Sequence, residues 1–229
     1  NPALHEASAS DEVMPIYILT PNAMSELGQA SKIWLHHSLD KLNKSTGYKI
    51  DFYTGNPKEI LTKIIQFEKI QGIFWNKVFE PHNLLNDDEL ITELNKVGIS
   101  CHSLNGSLLW EPSSILKKDE TPYKVFTPYY RKGCLLSEPP REPLISPQSI
   151  NWVSGNGKLR LEDLKLLPDH DWRKKIESHW FMGEAAANDR LEEFLGNGIK
   201  YYKTGRNYPS KSYVSRLSPH IHFGELSPN

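Results

Sequence analysis

The feature that most restricts this chain is an alternation running through its first hundred residues. Short β-branched runs trade places with longer stretches whose apolar residues recur every three or four positions. Val13 to Leu19 reads as a buried strand, followed by the loop Thr20-Pro21-Asn22. Leu27, Ala30, Ile33, Trp34, Leu35, Leu39 and Leu42 then mark one side of an amphipathic helix. Tyr48 to Tyr53 is expected to be a second strand. Asn56 before Pro57 is an N-cap with proline at the first helical position, and Ile60, Leu61, Ile64, Ile65 and Phe67 form the apolar face behind it. Gly72 to Trp75 is a third strand. Asn86-Asp87-Asp88-Glu89 opens a further helix, with Leu90, Ile91, Leu94 and Val97 inside and Gly98 closing it, and Ile99 to Leu104 is the fourth strand. Strands and helices joined by short loops demand right-handed crossovers and a parallel sheet covered on both faces. The expected fold class is therefore α/β, doubly wound and Rossmann-like, with a ligand crevice at the carboxyl ends of the strands.

The alternation stops near Lys132. Residues 133–170 are rich in Pro, Ser and Gly and carry no long periodic stretch, which reads as a connector. Helical texture returns from Gly183 to Leu195. With 38% apolar and 24% charged residues, the chain is neither disordered, collagenous nor a coiled coil. No apolar run approaches the ~20 residues that span a bilayer. The net charge of −1 averages over unlike segments. Cys101 and Cys134 are too few for a disulfide framework or a zinc site and suggest reduced thiols in an intracellular, cytoplasmic protein. The chain opens at Asn1-Pro2-Ala3-Leu4 without a starting Met or a signal-peptide layout, and it stops at Ser227-Pro228-Asn229, where a helix should open. A fragment truncated at both ends is the expectation.

Candidate chemistry narrows quickly. Gly155-Asn156-Gly157-Lys158 ends like a phosphate loop but lacks the earlier glycine, and no G-x-G-x-x-G follows a strand. His36 and His37 are adjacent and diverge on a helix; His220 and His222 have no carboxylate or cysteine at ligand spacing. All four read as structural or surface residues, with no metal expected. Trp34, Trp75 and Trp110 read as core, whereas Trp152, Trp172 and Trp180 would pin the connector. The informative stretch is Ile199 to Gly224. Lys200, Lys203, Arg206, Lys211 and Arg216 alternate there with Tyr201, Tyr202, Tyr208 and Tyr213, and no Asp or Glu interrupts them. Cations beside aromatic planes suit phosphates joined to flat rings, in nucleic acid or in a nucleotide cofactor; a solvated basic loop is the plain alternative. Ser218 before Pro219 reads as an N-cap opening a helix whose free N–H groups, with the Ser215 and Ser218 hydroxyls, form an anion site.

Several motifs in this order resemble the DNA photolyase/cryptochrome family. They are Asn1-Pro2-Ala3-Leu4, Trp34-Leu35-His36-His37-Ser38-Leu39, Trp75-Asn76 with Glu80-Pro81, Leu109-Trp110-Glu111-Pro112, and Tyr123 to Tyr129. Gly183-Glu184 to Leu195, and the signature Ser215-Arg216-Leu217-Ser218-Pro219 running on to Ser227-Pro228, complete the set. The class I type of photolyase is the nearest pattern. The resemblance implies an α/β antenna lobe over residues 1–131 with its first strand missing, a connector over 132–180, and the start of a helical flavin-binding lobe over 181–229. It implies a carbon–carbon lyase that uses blue light and reduced flavin adenine dinucleotide (FAD) to split cyclobutane pyrimidine dimers, with no catalytic residue inside this stretch. Tyr202, Val214, Ser215, Arg216, Leu217 and Ser218 would contact the flavin cofactor, and Arg206 the DNA. The family's α/β lobe often holds an antenna, commonly a folate. The implied partner is DNA containing pyrimidine dimers, met by a monomer away from membranes. Val214 stands where the family usually has threonine. Because the chain stops before the remaining flavin-binding helices, it is expected neither to hold flavin tightly nor to repair DNA alone. A cryptochrome-type photoreceptor without repair activity is the main rival, and a light-independent nucleotide-binding module the second.

Overall fold

The computed structural model describes residues 1–229, apart from the side chains of residues 81–83. Helix α1 (Pro2–Ala7) is capped by the Asn1 side chain, which accepts from the Leu4 N–H, and strand β1 (Ile16–Leu19) follows. The strand is shorter than the apolar run because Pro15 has no N–H for a ladder; Val13 instead makes an isolated parallel bridge with Trp152. Thr20 caps helix α2 (Pro21–Glu26) by accepting from the Ala23 N–H at 3.1 Å, so the expected loop is a helical turn and a half. Leu27 leaves the helical path, and α3 (Gln29–Ser45) carries the apolar stripe. Gly47 and Tyr48 both take left-handed φ angles (65° and 63°), which delays β2 to Asp51–Thr54. Asn56 caps α4 (Pro57–Phe67) as expected, accepting from the Lys58 N–H at 2.9 Å. Strand β3 (Gly72–Asn76), α5 (Pro81–Lys96) and β4 (Ser100–Leu104) complete the alternation. Helix α5 begins five residues ahead of the expected Asn86, at a proline in its first turn. Phe67 and Val97, expected inside, lie exposed at the ends of α4 and α5.

Both strand pairings are parallel, as the crossovers require. Ile16 to Leu19 align with Asp51 to Thr54, and Gly72 to Asn76 with Ser100 to Leu104. The pairs do not join into the single sheet expected from sequence: the described residues form two two-stranded sheets. Ile16 and Tyr17 of β1, with Ile73 and Phe74 of β3, line a cavity of about 1480 Å³ between them. Packing still unites the halves. Ile16 and Ile18 point to one face and meet Ile73 over a core of Leu61 from α4, Leu94 from α5 and Ile99 just before β4. The alternate residues Tyr17 and Leu19 point to the other face and join Leu39, Phe52, Leu161, Leu164 and Leu166. Burial there pushes the Tyr17 phenol up to about 12.

Much of that second core comes from the connector, which is anything but loose here. The Gly155 N–H donates to Asp51 Oδ2 at 2.7 Å, Asn156 Nδ2 donates to Glu68 Oε1 at 2.6 Å, and Leu159 bridges Phe52 in antiparallel fashion. A Cβ on Gly157 would fall 2.6 Å from the Asp51 Cβ, so glycine is required for this approach. The phosphate-loop-like sequence thus binds the chain's own carboxylate. After a single turn α6 (Phe126–Pro128) and irregular turns, the helical part resumes with α7 (Trp172–His179), α8 (Glu184–Glu193), α9 (Tyr202–Gly205) and α10 (Ser218–His222). Ile33 and Trp34 of α3 pack against Met182, Leu167, Ile176, Trp180 and Phe223, which seats these helices on the α/β part.

Candidate functional site

The basic, tyrosine-rich stretch folds into a loop closed at its base by aromatic packing. Tyr201 and Tyr213 meet at 4.9 Å between ring centroids, and the Tyr213 ring lies directly on Gly205, where any Cβ would collide. Residues 206–212 are held between these points. Tyr202, the first residue of α9, sets its ring edge-on to Phe194 at 5.9 Å, and the Arg206 guanidinium sits 5.3 Å over the Tyr202 ring. That cation–π contact links two residues singled out for different partners, cofactor and DNA. Among the described residues, no carboxylate forms a salt bridge with Lys200, Lys203, Arg206, Lys211 or Arg216.

The run Val214 to Ser218 alternates outward and inward. Val214, Arg216 and Ser218 are exposed, Ser215 is half-buried, and the Leu217 side chain is buried and anchors the segment. Arg216 takes a left-handed φ of 53°, a strained state for a residue with a Cβ, and Leu217 next to it is right-handed (φ −84°, ψ −10°). Successive residues of opposite hand turn their N–H groups into one concavity, an arrangement that suits an anion. The Ser215 hydroxyl accepts from the Leu217 N–H at 3.4 Å, which stabilises the turn. One expectation is corrected: Leu217 occupies the N-cap position, Ser218 is the first helical residue, and no side chain caps α10. With five residues, α10 contributes little dipole.

The histidines fall into place by burial. His37 Nε2 lies 2.8 Å from Glu177 Oε1, joining α3 to α7. The His36 Nδ1 is buried without a partner, and desolvation, helped by the charge of His37, holds its pKa below the ordinary value. His222 is exposed. His220 is buried and does have a carboxylate beside it, contrary to expectation: its Nδ1 is 2.6 Å from Glu225 Oε2. Spacing missed this pair because the four residues between them bend back at Gly224, whose φ is 71°. No group of three His, Cys, Asp or Glu side chains among the described residues could hold a metal ion.

Of the tryptophans expected in the core, only Trp34 is fully buried. Trp75 and Trp110 are half-buried, because their indole N–H groups are turned to Asp87 Oδ2 (2.9 Å) and the Glu138 carbonyl (2.9 Å). Burial raises the Asp87 carboxyl while that indole bond opposes the rise. Trp152 and Trp180 do pin the connector, on Val13 and Trp34; Trp172 is exposed and stacks only on His170.

No described helix is long and apolar enough to cross a membrane. Comparison with known proteins gives a consistent picture. The chain is 35% identical over 226 residues to the deoxyribodipyrimidine photo-lyase of Agrobacterium fabrum, covering 94% of this chain and 46% of that protein. It is 25% identical over 236 residues to Cryptochrome-1 of Arabidopsis thaliana, covering 99% of this chain and 34% of the relative. The crystal structure of a class III photolyase from Agrobacterium tumefaciens superposes with a TM-score of 0.85 at 33% identity, over all of this chain and 48% of that one. The likeness therefore points to class III and not to the class I type read from the motifs. The chain spans about half the length of the photolyases it matches. The DNA photolyase family model matches residues 1–147, and with these likenesses the chain belongs to the DNA photolyase/cryptochrome family.

Proposed function

We propose that the intact protein carrying this chain repairs cyclobutane pyrimidine dimers in DNA under blue light with reduced FAD, as a photolyase of the class III kind. The observation that carries this reading is the exposed face from Lys200 to Arg216, with five cations, interleaved tyrosines and no acid. The electron that opens the cyclobutane bonds is the chemistry a reduced flavin held by Tyr202 and the Val214 to Ser218 run would supply. The chain's own groups bind and orient. Arg206, held over the Tyr202 ring, presents its planar fork to a DNA phosphate, and the lysines around it add salt-sensitive attraction. The residues present fit a pyrophosphate: the Arg216–Leu217 turn offers backbone N–H groups beside the Leu217 N–H that Ser215 takes, and Ser215 and Ser218 offer hydroxyls. Val214 offers none, so one hydrogen bond of the family pattern is absent. Tyr202 is 39% and Val214 38% exposed, an open face that gives this chain alone a weak hold on flavin. A folate-type antenna in the α/β part belongs to the same proposal.

The test uses the intact protein, reduced and loaded with flavin, on DNA containing cyclobutane thymine dimers. Dimer loss in blue light and none in the dark is the expected result. No loss from visibly flavin-loaded protein would overturn repair of that lesion. The second reading, a cryptochrome-type photoreceptor, would then lead, supported by the likeness to Cryptochrome-1 along 99% of the chain.

A further inference from the structure

Glu225 is a buried acidic side chain with three hydrogen-bond partners, and no part of the repair reading uses it. It lies buried, with its side chain 3% exposed. Its Oε1 accepts from Trp34 Nε1 at 3.1 Å and from the Gly183 N–H at 2.8 Å, while Oε2 pairs with His220 Nδ1 at 2.6 Å. These donors come from α3 in the α/β part, from the residue that opens α8, and from α10. Gly183 is itself constrained: its φ is 101°, and a Cβ there would press on Lys41 of α3 at 3.0 Å. Trp34 packs its ring against Trp180, His220 and Phe223, at 5.5, 5.0 and 6.0 Å. A carboxylate with three donors in a dry aromatic shell is fixed in place, because any movement leaves a buried polar group unpaired.

We infer that Glu225 is a positioning residue for the phosphate-binding turn, a role that rests on the flavin reading above. Helix α10 is a single short turn without a side-chain cap, so its own hydrogen bonds hold it weakly. What orients it is the His220–Glu225 pair against Trp34. Ser215, Arg216 and Ser218 lie two to five residues ahead of His220, on the same short span. The pair thus transmits the position of α3 and Gly183 to the face that meets the pyrophosphate, without touching the ligand itself.

The test compares the intact wild-type protein with E225Q and H220N, titrating each with FAD and, separately, with riboflavin, which carries no phosphate. E225Q keeps an oxygen for Trp34 and Gly183 but exchanges the charge-assisted bond to His220 for a neutral one. H220N loosens the same link from the other side. The expected result is FAD binding weakened about tenfold in both variants, with riboflavin binding unchanged and melting temperatures close to wild type. FAD held by either variant as tightly as by wild type overturns the positioning role alone. Riboflavin weakened as much as FAD also overturns it, since the effect would then be general loosening of the fold. A wild-type protein that binds neither ligand overturns the flavin reading, and this role with it.

Discussion

Two regions that share one short sequence signature behave in opposite ways. From Ser215 to Ser218 the polar side chains face solvent around a strained turn. At His220 and Glu225 the polar groups are sealed among aromatic rings, while His222 between them is exposed. Among the described residues, the cations of the open face have no carboxylate partner, and no hydrogen bonds join its charged side chains. The sealed knot has every Glu225 oxygen engaged. The contrast teaches a division of labour: outward residues are free to meet a ligand because inward residues, a few positions away, take over the task of holding the backbone. Hydrogen-bonded burial makes the knot expensive to disturb, whereas the open face should tolerate substitution with little loss of stability.

The largest effect should follow a direct attack on the knot. Trp34→Ala removes a fully packed indole and one of the three donors to Glu225, and should cost about 3–5 kcal/mol in urea unfolding. A loss under 1 kcal/mol would break the contrast. Gly205→Ala comes next. It forces a methyl group into Tyr213 and should cost about 1–3 kcal/mol, with faster proteolytic cleavage within residues 206–212 and not elsewhere. Arg206→Ala should change stability by less than about 0.5 kcal/mol. Its effect should appear in binding, with weaker DNA affinity and a log–log salt slope shallower by about one. A stability loss equal to that of Gly205→Ala would show that the open face is structural after all.

The smallest effect is a pH dependence. Desolvation holds the folded His36 pKa below its ordinary 6.5, so between the two values the unfolded chain binds the extra proton. Stability from the neutral ring is therefore fully present above pH 6.5 and is lost as pH falls toward the depressed value. His36→Leu should flatten that acid limb in thermal melts across pH 5–7. An unchanged limb would assign it to other groups.

Local rules made much of the fold legible. Asn56-Pro57 announces α4 because a side-chain acceptor and a ring without N–H both suit a first turn. The short runs between helical patterns announce β3 and β4 because a strand–helix alternation needs a strand at each of them. The misses are non-local. Nothing near Asp51 says that Gly155, 104 residues later, will donate to it, and Glu225 finds Trp34 across 191 residues. The candidate site shows the same limit. Its cations, tyrosines and hydroxyls could be read directly, because their chemistry is carried by residue type. The stacking of Arg206 on Tyr202, and the clasp behind the turn, depend on where the chain returns. The family signature located the segment without revealing which of its residues face inward.

The gap between β1 and β3 has a consequence for what the two strand pairs can still accept. Strand edges normally meet either a neighbour or some device that discourages one, such as a charge, a bulge or a covering loop. Here two parallel edges face a common cavity, so an extended segment entering it would gain backbone hydrogen bonds on both sides at once. That doubles the reward for a strand laid in the slot, which would join the two pairs into one sheet.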